Sequence, residues 1–116
     1  MHKRITFRHM DKSEAMEQHS NDQLVKIEHF LEGEQRPIYI DLTLEPSKVH
    51  EHHRIELRVK SPHYDLVSHY EKEGVDFYEA LDHVIDVMYH QLQEHKRRLD
   101  DDKKQVGRHE EFKKQR

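Results

Sequence analysis

The 116-residue chain contains no cysteine. That absence removes disulfides, thiolate metal sites and cysteine nucleophiles together, and it fits a reducing compartment. Glycine is scarce, at three residues. They form neither a Gly-rich phosphate loop nor a Gly-x-Ser-x-Gly elbow, which argues against a nucleotide cradle and against that route to acyl transfer. Long hydrophobic runs are missing as well. No stretch approaches the roughly 18 apolar residues that a membrane span requires, and the N-terminus has no apolar signal-peptide core. The expectation is a cytoplasmic protein with no membrane contact.

Hydrophobic residues make up 33% of the chain and charged residues 38%. A domain this small buries about two-thirds of its unfolded surface, so one modest core is the ceiling. Its residues must come from the periodic segments between positions 3 and 99. The net charge is −4 with histidine neutral, an unpromising total for phosphate binding, which is driven by Lys and Arg displacing counterions. The distribution says more. Residues 1–95 carry 11 Lys and Arg against 19 Asp and Glu, whereas residues 96–116 carry 9 against 5. Thirteen histidines are a further reserve of positive charge below about pH 6.5.

Residues 3–9 alternate, with Ile5 and Phe7 on one side and Arg4, Thr6 and Arg8 on the other, as in a half-buried strand. Ser13 can cap a helix whose first turn carries Glu14 and Glu17 and whose apolar positions are Met16, Leu24, Ile27 and Leu31, before Gly33 stops it. Pro37 opens a second strand over 38–44 with the even positions inward, and Pro46 ends it. From 50 to 60 the pattern alternates again: His53, Ile55, Leu57 and Val59 face one way, and His52, Arg54, Glu56, Arg58 and Lys60 the other. A fourth strand spans 64–71, with either Leu66 and Tyr70 or Val67 and His69 inward. The clearest helix begins at Asp76, whose cap and Glu79 make a capping-box-like start. Phe77, Ala80, Leu81, Val84, Met88 and Leu92 form its apolar stripe, flanked by Ile85 and Tyr89. Periodicity dies after Leu99, which predicts a folded domain over 1–99 and a charged, flexible tail over 100–116. The fold class expected is α+β: a βαβββα two-layer sandwich, with two helices on one face of a four-stranded sheet, as in double-stranded-RNA-binding modules.

In this order the residues resemble the family of ribosome hibernation-promoting factors and ribosome-associated inhibitor A, also labelled sigma-54 modulation proteins. The most specific match is the run Asp76 to Asp82, Asp-Phe-Tyr-Glu-Ala-Leu-Asp, followed by Gln91-Leu92-Gln93-Glu94-His95-Lys96-Arg97-Arg98. Arg8-His9 and Leu24-Val25-Lys26-Ile27-Glu28 support it. Two positions depart from the family pattern: Gln23 stands where Lys or Arg is usual, and His29 where Lys is common. The resemblance implies a short form without a second, ribosome-pairing domain. It implies a non-enzymatic factor, monomeric off the ribosome, that sits in the decoding channel of the small subunit and sterically blocks mRNA and the A- and P-site tRNAs.

With that resemblance, Arg8, Lys26, Arg54, Arg58, Lys60, Lys96, Arg97 and Arg98 become the candidate rRNA phosphate contacts, since folded RNA is read mainly through phosphates, 2′-hydroxyls and shape. Singly, each reads first as ordinary charged surface, and the 96–98 cluster also complements a helix C-terminus. Tyr78 and Tyr89 could stack on bases or bound the core, while Glu79, Asp82 and Asp86 form an acidic stripe that should face away from RNA. His50-Glu51-His52-His53 invites a metal reading, but two neighbouring imidazoles are a weak site and no further ligand motif accompanies them. No cofactor, resident metal or catalytic pair is expected. The rival functions are a double-stranded-RNA-binding module and a histidine-rich metal-binding protein.

Overall fold

A computed structural model describes residues 1–45, 53–72 and 75–114. Its elements are β1 (His2–Phe7), α1 (Glu14–Leu31), β2 (Tyr39–Glu45), β3 (His53–Lys60), β4 (Asp65–Lys72) and α2 (Phe77–Lys114). The strands lie in the order β1-β2-β3-β4, with β1 parallel to β2 and the other two pairings antiparallel. This is the expected α+β, βαβββα arrangement.

Alternation decides which side of the sheet is dry. Ile40, Leu42 and Leu44 of β2 pair in register with Val59, Leu57 and Ile55 of β3, and all six are at most 2% exposed. A one-residue slip would turn this whole set to water, so the register is strongly specified. On β1, Ile5 and Phe7 pair with Leu42 and Leu44 and pack against the same core. The choice left open for β4 is resolved by Ser68. It is 3% exposed, between half-buried Leu66 and Tyr70, and its hydroxyl donates to the Val84 carbonyl at 2.9 Å. Its small side chain lets α2 lie close to the strand, while Val67 and His69 point outward.

Both helices cover the dry face. Ser13 caps α1, accepting from the Met16 amide at 3.3 Å, and Leu24, Ile27 and Leu31 are fully buried. Asp76 caps α2, accepting from the Tyr78 amide at 3.1 Å, and Phe77, Ala80, Leu81, Val84, Met88 and Leu92 are buried. Ile85, expected on the flank of this stripe, is also fully buried. The helices run parallel. His19 meets Asp82, Lys26 meets Asp86 and Phe30 meets Tyr89, in ascending order on both.

Helix α2 continues past Leu99 to Lys114, over the segment that the sequence marks as a charged tail. Apolar periodicity reports burial rather than backbone conformation, so a helix can extend where the sequence shows no stripe. Residues 100–114 lack proline, are rich in Lys, Gln, Glu and Arg, and place Asp100 four positions before Lys104 and Glu110 four before Lys114. Each of these features favours helix without requiring a core. Among the described residues no helix is long and apolar enough to cross a membrane.

Candidate nucleic-acid interface

The eight cations read from the sequence do not share one surface. Arg8, Arg54, Arg58 and Lys60 lie on or beside the open face of the sheet, and Lys26, Lys96, Arg97 and Arg98 lie on the helices. On the open face, register sets each β3 cation opposite a carboxylate. Arg58 stands between Asp41 and Val67 and binds Asp65 at 3.0 Å; Arg54 stands between Glu45 and Glu71 and binds Glu71 at 2.8 Å, with Glu45 at 3.9 Å. Arg4, which the sequence reading left out, binds Asp41 at 3.0 Å. The hydrogen bond and charge of Glu71, then the charge of Glu45, raise the Arg54 pKa above its ordinary value. Arg8, Arg54 and His69 line a shallow open depression of about 390 Å³, but Glu45, Glu56 and Glu71 line it too. The basic outer face expected of β3 is therefore neutralised by its neighbours.

A different grouping forms where β3 ends. Parallel pairing of β1 with β2 and the two antiparallel pairings set His2, Tyr39, Lys60 and Asp65 in one row across the sheet. Helix α1 finishes beside this row, and α2 passes it at residues 95–98. Tyr64 pins the three parts together. It is 2% exposed, its ring lies 6.2 Å from Phe30 and 5.0 Å from His95, and its hydroxyl donates to Glu34 at 3.4 Å. Burial, reinforced by the negative charge of Glu34, pushes the Tyr64 phenol up to about 12. The His95 Nε2 donates to the His63 carbonyl at 2.9 Å, tying α2 to the β3–β4 turn.

At this end stand Lys60, Lys96, Arg97 and Arg98, four of the eight expected positions, joined by Arg36 from the α1–β2 connection. Lys96 sits 5.5 Å over the Phe30 ring. Arg97 and Arg98 share a single carboxylate, Glu94, at 2.8 and 3.7 Å. Among the described residues Lys60, Lys96 and Arg36 have no carboxylate partner. Arg8 also lacks one, but it lies at the opposite end of the sheet. Arg36 sits in a connection with no periodicity to mark it; for Arg4 the outward alternation of β1 was the available signal.

Lys26 is drawn the other way, into the seam between the helices. It pairs with Asp86 and lies 5.6 Å over the Tyr89 ring. About two turns earlier on α1 His19 meets Asp82 at 2.7 Å and the edge of Tyr78 at 4.9 Å. Two members of the acidic stripe are thus partnered across the seam. Tyr78 and Tyr89 pack against His19, Phe77, Phe30 and Lys26, as core-boundary aromatics do.

The metal reading falls mostly on residues 50–52, which lie outside the described residues. His53 is 6% exposed with its ring 5.6 Å from Phe77. Among the described residues no group of three His, Cys, Asp or Glu side chains could hold a metal ion.

No curated protein sequence matches the chain. Solved structures share its fold. The crystal structure of the Thermus thermophilus Protein Y N-terminal domain aligns with a TM-score of 0.59 and 19% identity, covering 81% of this chain and 98% of that one. A ribosomal subunit interface protein from Coxiella burnetii aligns with a TM-score of 0.63 and 21% identity, covering 83% and 98%. The family model for the Sigma 54 modulation protein / S30EA ribosomal protein matches residues 4–100, the stretch from β1 through the part of α2 that packs on the sheet. The chain belongs to that family.

Proposed function

We propose that this protein is a ribosome-associated hibernation factor that binds the small subunit in its decoding channel and stops translation by occupying the paths of mRNA and the A- and P-site tRNAs. The family match over residues 4–100 carries the reading. The two structural neighbours, one a Protein Y domain and the other a ribosomal subunit interface protein, agree with it.

In this reading the body over residues 1–99 binds as a cytoplasmic monomer, and its mechanism is steric. No bond is made or broken, so neither a cofactor nor a catalytic residue is called for. Affinity comes from cations displacing counterions along rRNA phosphates. The cluster of Lys60, Lys96, Arg97 and Arg98 is the favoured contact surface, because fewer of its charges are already held by carboxylates. Lys26, Arg54 and Arg58 would first have to leave their partners.

The test is sedimentation of ribosomes through sucrose gradients with the purified full chain. The expected result is co-migration with the small subunit, lost as salt rises, together with arrest of translation in a reconstituted system. Binding to naked duplex RNA without affinity for ribosomes would replace this reading with the double-stranded-RNA module. Stoichiometric zinc uptake with a metal-dependent melting temperature would replace it with the metal-binding protein.

A further inference from the structure

Histidines gather at the same end of the sandwich as the least-paired cations. His2 opens β1, His29 lies in the last turn of α1, His63 is in the β3–β4 turn and His95 is on the adjoining turn of α2. They come from four separate segments, so their placement at one end is a product of topology rather than of a local run.

Each has a defined setting. The His2 ring stacks on Tyr39 at 5.0 Å and 18°, and an aromatic face attracts a cation. His29 sits among the carbonyls that end α1, the negative pole of the helix, with Glu32 at 3.5 Å. A carbonyl can only accept, so the contact from His95 Nε2 to the His63 oxygen fixes the proton on that nitrogen. Nδ1 is left as the atom that takes up a second proton. His63 is exposed.

The permanent charges at this end nearly cancel. Arg36, Lys60, Lys96, Arg97 and Arg98 supply the cations. Facing them are Glu32 beside His29, Glu34 at the Tyr64 hydroxyl, Asp65 held by Arg58, Glu94 under the two arginines, and Asp100, whose charge reaches Tyr64. The Lys3–Glu28 pair nearby, at 2.7 Å, cancels itself. With neutral imidazoles the surface therefore offers phosphates a modest net attraction, and each proton taken up strengthens it.

We propose that this end is a proton-gated phosphate surface: His2, His29, His63 and His95 set how tightly it grips the RNA backbone, weakly when neutral and strongly when protonated. The inference rests on the ribosomal reading above and adds its regulation. Imidazole titrates near pH 6.5, whereas phosphodiesters stay ionised throughout that range, so the response belongs to the protein. A protonated imidazole donates from both nitrogens and displaces a counterion as lysine does.

The experiment compares co-sedimentation of the full chain with small subunits at about pH 7.5 and about pH 6, across a salt series. Gating predicts binding at least about tenfold tighter at the lower pH, with a log–log salt slope steeper by roughly 0.7–0.9 for each histidine that reaches a phosphate. A variant carrying His2→Gln, His29→Gln and His63→Gln keeps the half-buried His95 packing intact. Its affinities at the two pH values should come within about threefold of each other. His2→Lys, His29→Lys and His63→Lys together should bind at the higher pH nearly as tightly as the parent does at the lower, provided melting curves show the fold unchanged. Equal, measurable binding of the parent at both pH values overturns the gate and leaves the ribosomal reading standing. An undiminished gain in the glutamine variant overturns the assignment to this end. Failure to co-sediment at either pH overturns the ribosomal reading, and the gate with it.

Discussion

The open face of the sheet and the end where β3 finishes both carry arginine and lysine, yet they differ in what those cations are bound to. On the sheet, opposite residues of adjacent strands sit about 4.5–5.5 Å apart, close enough for a carboxylate on one strand to hold an arginine on the next. Arg4 and Arg54 are held in this way, and Arg58 is held by the diagonal neighbour Asp65. At the β3 end the cations come from the last residue of β3, a connection and a helix. The carboxylate opposite Lys60, Asp65, is taken by Arg58, and Arg97 and Arg98 must share Glu94. Topology, rather than composition, thus decides which basic residues remain available to a polyanion.

The largest effect should come from removing the residue that assembles this end. Tyr64→Ala deletes a nearly buried ring that joins α1, the β3–β4 turn and α2, and truncation of a buried aromatic costs about 3–5 kcal/mol. Urea titration should show that loss. A cost below about 1 kcal/mol would mean that the three parts hold together without it. Next comes charge reversal. Lys96→Glu, Arg97→Glu and Arg98→Glu together should weaken co-sedimentation with small subunits by at least about a hundredfold at moderate salt, given the counterion release that each phosphate contact contributes. Unchanged sedimentation would remove these residues from the interface and with them the contrast between the two surfaces.

Much of this contrast was hidden in the sequence although the fold was not. Strict alternation in β2 and β3 and the stripe from Phe77 to Leu92 reveal the sheet, its dry side and the second helix, because burial imposes those periods directly. Ser68 concealed the inward face of β4, since a small polar residue sits where an apolar one would have marked it. The extension of α2 to Lys114 left no apolar trace. For the candidate site, residue type picked out Arg54 and Arg58, but their carboxylate partners lie 17 and 7 residues away on another strand. Only register can reveal such pairs. The gathering of His2, His29, His63 and His95 likewise needs the path of the chain.

Alkaline titration sharpens the comparison at a smaller scale. The Tyr64 phenol is pushed up to about 12 from an ordinary value near 10, mainly by burial, so the fold favours its neutral form. The stabilisation is fully present below the unfolded value and is lost as pH rises through the folded one. Stability should therefore fall between about pH 10 and about pH 12, and Tyr64→Phe, which has no proton to lose, should flatten that part of the decline. Identical alkaline curves for the parent and the phenylalanine variant would show that the hydroxyl beside Glu34 is freely solvated.

The smallest effect is the most discriminating, because it tests the surface argued to be silent. Arg58 and Asp65 are each about half exposed, at 47% and 55%, and exposed pairs of this kind contribute under about 1 kcal/mol to folding. Arg58→Ala should accordingly leave the melting temperature almost unchanged. If carboxylates already occupy the sheet arginines, Arg54→Ala with Arg58→Ala should also leave ribosome affinity within about threefold of the parent and the salt slope unmoved. The alternative outcome is specific. A slope lowered by roughly 0.7–0.9 for each arginine removed would mean that phosphates displace Glu71 and Asp65 on binding. The open face would then be the RNA contact, with its cross-strand pairs serving to hold the arginines extended until the polyanion arrives.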